Sequence, residues 1–229
     1  NGNAIGGAAA GEGNLISGNN SGGLHFNTVA NGVIQGNYVG TNAAGNAALG
    51  NSFYGIELYN STGNLIGGST ATTRNLVSGN ANYGMYLWAS SANNVIKGNY
   101  VGTDVTGTAK IPNSYGIVVN GSNGNVIGGA AAGEGNLLSG NTNDGLHFNN
   151  ASNGVIQGNY IGTNANGTAA LGNGDQGIEL NTSSTGNLIG GTTATARNLI
   201  SGNSNFGVYI QTSSANNVIK GNYVGTDVT

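Results

Sequence analysis

One short phrase, Asn-x-Ile-x-Gly, returns along the whole chain and limits what the chain can become. Its isoleucines are Ile34, Ile66, Ile96, Ile127, Ile156, Ile189 and Ile219, with Ile5 in a truncated first copy. The Asn stands at Asn64, Asn94, Asn125, Asn187 and Asn217, and one place earlier at Asn31 and Asn153. A second step, Gly followed by an aliphatic residue, recurs at Gly23, Gly55, Gly84, Gly116, Gly145, Gly177 and Gly207, at gaps of 29 to 32 residues. Gly-Leu-His-Phe at 23–26 comes back at 145–148, a shift of 122 residues, so the array is itself doubled.

Fixed periods of 20–50 residues belong to solenoids, propellers and helical arrays. Helical repeats are excluded, because a Gly inside every apolar segment would cost about 1 kcal/mol each in a helix. The segments are short, rich in β-branched residues and bounded by Gly and Asn, which predicts strands. Three such strands per unit suit one coil of a parallel β-helix, whereas a propeller blade needs four strands and a longer period. Coils stack about 4.8 Å apart, so like residues sit on like residues. Leu24 with Phe26, Ile56 with Leu58, Met85 with Leu87 and Leu146 with Phe148 are expected to point inward. Corner Asn residues are expected to ladder their amides from coil to coil.

The phrases Asn99-Tyr100-Val101-Gly102-Thr103-Asp104 and Asn222 to Asp227, with Asn159 to Thr163 as a partial match, carry a resemblance. The chain resembles right-handed parallel β-helix repeat proteins of the pectate-lyase-like superfamily, most of all the repeat regions of large secreted or surface bacterial proteins. The resemblance covers the whole chain and implies an all-β solenoid of about seven coils, one continuous domain over residues 1–229. Asn1 aligns with Asn123 and Thr229 with Thr106, so both ends are expected to fall in mid-coil without caps.

Composition narrows the function classes. Only 6% of residues are charged, net charge is −3, and five Lys plus Arg form no basic patch, so nucleic-acid binding is not expected. The chain has no Cys, and no run of about 18 apolar residues to cross a membrane. With 37% hydrophobic residues at regular intervals it is not a disordered tract.

Candidate chemistry lies on the strand that follows the Gly step. Its outward column reads His25, Glu57, Tyr86, Val118, His147, Glu179, Tyr209. A His one coil from a Glu, twice, is either an acid/base pair, half a metal site or an exposed cross-strand pair. With no third ligand in view, no metal and no cofactor is expected. Tyr59, Tyr86 and Trp88 form an aromatic patch fit for a sugar ring or a protein neighbour. Asp144 and Asp175 are expected one coil apart; they replace Gly22 and Phe53 of the first half and are either turn residues or a paired-carboxylate site. Enzymes of the superfamily carry recognisable sets: an Asp cluster for Ca²⁺ with Arg or Lys in pectate lyases, adjacent Asp with Gly-His-Gly and Arg-x-Lys in polygalacturonases, Asp-Pro-His in alginate epimerases. None stands here.

Arg74, Arg197, Glu12 and Glu134 read as a sparse charge row along one edge. A column of alternating Leu15, Tyr38, Leu76, Tyr100, Leu137, Tyr160, Leu199 and Tyr223 is either an exposed association stripe or additional core. These features lead to the expectation of a non-enzymatic rod, stalk or filament segment, secreted or at the cell surface, associating end to end or laterally. The alternative is a polysaccharide-acting or glycan-binding β-helix using Asp144, Asp175, His147 and Glu179, or Tyr59, Tyr86 and Trp88.

Overall fold

The computed structural model describes residues 2–228 and contains only β-strands, turns and bends. Asn1 and Thr229, which enter the alignment of the two ends, lie outside the described residues. The strands form three parallel sheets of eight, eight and seven strands. Each coil contributes one strand to each sheet, giving a parallel β-helix of about seven turns. The first sheet begins at Ala4–Gly6, the second at Leu15–Ile16 and the third at Leu24–Asn27.

The register is that of like on like. Ile5, Ile34, Ile66, Ile96, Ile127, Ile156, Ile189 and Ile219 pair in one unbroken series along the first sheet. The six inner members are fully buried, and burying each contributes roughly 1.5–3 kcal/mol. Ile5 is only partly covered and Ile219 is 45% exposed, since each has a coil on one side only. Ile56 and Leu58, Met85 and Leu87, and Leu146 and Phe148 point into the same core.

The recurrent Gly of the third sheet is a steric requirement. A Cβ on Gly55 would lie 2.7 Å from the Gly84 carbonyl oxygen and 2.8 Å from Asn80 Nδ2. That Asn belongs to a ladder. Asn14, Asn37, Asn75, Asn99, Asn136, Asn159, Asn198 and Asn222 each pass an amide hydrogen bond to the next, at 2.8–3.1 Å. Asn19, Asn51, Asn80, Asn113, Asn141, Asn173 and Asn203 do the same at a second corner, also at 2.8–3.1 Å. The third corner links Asn64 to Asn94 to Asn125, and Asn187 to Asn217. Asn31 and Asn153 stay out of it: they are turn residues at positive φ, and the backbone N–H of Gly32 and of Gly154 takes their place in the row. A buried amide stripped of its partner costs about 1–3 kcal/mol, so the ladders fix the register as firmly as the apolar core does.

The Leu/Tyr column resolves neither way that the sequence allows. It lies on the outer side of the second sheet, opposite the core column that contains Val39, Val77, Val101, Leu138, Ile161 and Ile200. Leu76, Leu137 and Leu199 are nevertheless buried, because loops fold over them. A Cβ on Gly107 would meet Tyr100, Leu137 and Ala165 within 3 Å, so the loop lies flat on the column only because Gly107 has no side chain. The result is a small second apolar layer outside the tube.

Candidate functional site

The outer face of the third sheet carries the His, Glu and aromatic side chains that the sequence singles out, and its two halves correspond by the 122-residue shift. In the first half Glu57 is almost fully buried, at 4% exposure, rather than lying in an exposed pair. It accepts hydrogen bonds from His25 Nδ1 and, at 2.6 Å, from Trp88 Nε1. Burial, then a hydrogen bond to Glu57, pushes the Tyr54 hydroxyl up to about 12.

In the second half Glu179 occupies the place of Glu57, and Gln211 Nε2 donates to it where Trp88 donates in the first half. The difference is Asp144. Its Oδ2 lies 2.9 Å from His147 Nδ1, while Glu179 Oε2 lies 3.1 Å from the same nitrogen. Asp144 adds a third group to the His147/Glu179 pair. One ligating atom from each of Asp144, His147 and Glu179 lies within 4.8 Å of the others, a spacing that also suits a divalent ion. Burial raises the Glu179 carboxyl above the ordinary glutamate range; His147 and Gln211 oppose this, and Asp144 adds to it. The physical cause is two carboxylates facing one imidazole in a partly desolvated place, where the second negative charge is resisted.

Asp175 does not pair with Asp144. Asp144 Oδ1 accepts the Gln176 backbone N–H at 3.0 Å, and Asp175 turns away to accept from Asn205 Nδ2 at 2.7 Å. The expected Asp144/Asp175 pair is therefore replaced by the Asp144/His147/Glu179 cluster. The reason is local: Asp144 lies three residues before His147, so one carboxylate oxygen meets that imidazole while the other is taken by the Gln176 N–H of the next coil.

Tyr59, Tyr86 and Trp88 do form a patch, with Tyr59–Trp88 and Tyr86–Trp88 centroids 4.7 and 5.8 Å apart. The patch is larger than expected. Tyr83 stacks on Tyr86 at 4.6 Å, and Tyr115 continues from Tyr83 to His147 at 5.8 and 6.0 Å. The strip of rings thus ends on the acid cluster. Tyr54, Tyr83 and Tyr115 were missed in the sequence although a signal was there: each stands immediately before the recurrent Gly.

The charge row is also corrected. Glu134 pairs with Lys97 at 2.7 Å, and Glu12 accepts the Ala9 N–H of its own turn. Arg74 and Arg197 instead lie over the rings of Tyr100 and Tyr223, with Cζ 3.8 and 3.9 Å from the centroids.

The chain is a parallel β-helix. Among solved structures it is similar to the A-module of mannuronan C-5 epimerase AlgE6 from Azotobacter vinelandii, at a TM-score of 0.51 and 17% identity, with 93% of this chain matched to 56% of that one. It is also similar to the AlgE4 A-module of the same organism, at a TM-score of 0.45 and 14% identity, with 90% of this chain matched to 56% of that one. The chain thus spans little more than half the length of either module, and the likeness is one of fold. No protein-family model and no curated protein matches the chain. The expectation that the chain is not an enzyme is overturned here, because the structure whose fold it shares over 93% of its length is an enzyme module. The Asp144/His147/Glu179 cluster is assembled across coils, so no contiguous motif marks it.

Proposed function

We propose that the chain is a polysaccharide-acting β-helix, with the sugar chain lying along the outer face of the third sheet. The observation that carries this is the Asp144/His147/Glu179 cluster at the end of a continuous strip of aromatic rings. Aromatic faces hold sugar rings by their C–H sides, and the cluster supplies acid–base chemistry beside them. Asp144 and Glu179 both face His147 Nδ1, leaving Nε2 with no protein partner among the described residues. Nε2 is then the atom that takes a proton from the substrate or returns one, while the carboxylates orient the ring and stabilise its charged form. A glycosidase pair would flank the bond at about 5–9.5 Å, whereas these carboxylates meet on one nitrogen, so proton abstraction by a single base fits better than hydrolysis by two acids.

The mannuronan C-5 epimerase likeness supports a polysaccharide substrate, and such a substrate supports an extracellular location. This reading takes the place of the rod or stalk expected from the repetition. The test is incubation with neutral and acidic polysaccharides, with and without a divalent cation. Unsaturated ends, new reducing ends and inverted sugar centres are read by absorbance, chemical assay and proton NMR. Conversion that is lost in His147→Ala is expected; unchanged polysaccharide under every condition overturns the reading.

A further inference from the structure

Away from the third sheet, the outer face of the second sheet holds a groove of about 360 Å³, within the usual range for small-ligand sites. Arg74 and Tyr100 close one end and Arg197 the other, with Leu137 and Tyr160 as the floor. We propose that this groove binds an anionic polysaccharide, taking its carboxylate or sulfate groups on Arg74 and Arg197 and a sugar ring on Tyr160.

The two guanidiniums are held ready. Arg74 Nε donates to the Gly98 carbonyl and Arg197 Nε to the Gly221 carbonyl, at 3.4 and 3.0 Å, while each group rests on a tyrosine ring. A guanidinium has five N–H donors, and no carboxylate or other protein acceptor takes the terminal ones among the described residues. Groups fixed in advance lose little freedom on binding, and the planar fork matches a carboxylate or sulfate.

No acidic side chain lines the groove. Glu134, at its edge in sequence, is already occupied: Oε1 meets Lys97 Nζ at 2.7 Å and Oε2 accepts the Ala131 N–H at 3.2 Å. The groove is therefore a positive place on a chain of net charge −3. The floor is bare by construction. Gly135 stands where Arg74 and Arg197 stand in their own coils, and a Cβ there would lie 1.9 Å from the Gly158 carbonyl oxygen, so Tyr160 has no guanidinium over it. Cation, open ring and cation follow one another along one row. Tyr100 and Tyr223 are four coils apart, about 19 Å at the usual strand spacing, a span for an oligosaccharide rather than a single sugar. Inorganic anions would satisfy the arginines but leave the ring unused.

The proposal uses no residue of the third sheet, and its test is separate from that of the catalytic reading. The full chain is titrated by calorimetry with a short oligouronide, a sulfated oligosaccharide and a neutral oligomer of equal length, while NMR follows the two Arg Nε–H resonances. Trp88, the only Trp of the chain, reports on the third sheet by its fluorescence. We expect one or both anionic oligomers to bind and shift the Arg resonances, and the neutral oligomer to leave them in place. Arg74→Gln with Arg197→Gln weakens that binding at least about tenfold, the worth of a lost charge-assisted hydrogen bond. Ala194→Glu places a carboxylate on an exposed turn at the rim, removes no stacked group, and produces the same loss; it decides the matter if the double variant does not fold. Anionic binding of equal strength in the wild type and in Ala194→Glu overturns the proposal, as do Arg resonances that answer the neutral oligomer as they answer the acids.

Discussion

The two halves of the third sheet share a backbone and one idea, a buried Glu one coil above a His, and then diverge. At the first node Glu57 is surrounded by donors, His25 and Trp88, with Tyr54 beside it. At the second, Gln211 replaces the Trp donor and Asp144 adds a second carboxylate against the imidazole. Of the differences between them, Gly22 against Asp144 is the one that adds charge, setting a second carboxylate against a single imidazole. The first node sets one carboxylate against its imidazole, and the second sets two.

The most forceful way to break this contrast is to remove the two histidines separately. His147→Ala is expected to lower polysaccharide conversion by about 10²–10⁴-fold, the usual worth of a general base. His25→Ala is expected to leave conversion within a few-fold, measured by the same assay. Equal losses would show that the halves act alike.

A smaller effect sharpens the comparison by making the first half resemble the second. Gly22→Asp alone is expected to destabilise, because a Cβ there would lie 1.9 Å from Tyr54 Cε2. Overpacking of this kind costs about 1–3 kcal/mol, and thermal unfolding reads about 2–4 °C per kcal/mol for a chain of this size. Tyr54→Gln copies Gln176, which accompanies Asp144 in the second half, and added to Gly22→Asp it is expected to restore most of the melting temperature.

The smallest expected effect is in pH. Burial raises the Glu179 carboxyl above its unfolded value, so the folded chain holds a proton that the unfolded chain releases. Stability from this group is complete below the ordinary glutamate range and declines as pH rises through the raised value. Glu179→Gln removes that decline, so its urea midpoint is expected to fall less between pH 4 and pH 7 than the wild-type midpoint does. A larger fall would reverse the assigned sign.

The fold was legible because its cause is periodic. The isoleucine column, the inward pairs and the three strands per coil all follow from spacing, and the register confirms them residue by residue. The site was legible only in pieces. Asp144, His147 and Glu179 were grouped as one alternative site, but Asp175 was added to them although it turns to Asn205, and the His/Glu pair was read as exposed although Glu179 is buried. The burial of Leu76, Leu137 and Leu199 failed to show for a related reason: the loops that cover them keep no strand-like pattern, only a Gly where the chain must lie flat.

The asparagine rows have a consequence for how such a molecule can vary. Every amide in a row receives from the coil below the same bond that it gives to the coil above. Excising one whole turn would bring matching neighbours together, and inserting one would interpose an equivalent. Length is thus the cheap variable and cross-section the expensive one, so descendants of this design can grow or shorten by complete turns while the wall stays the same.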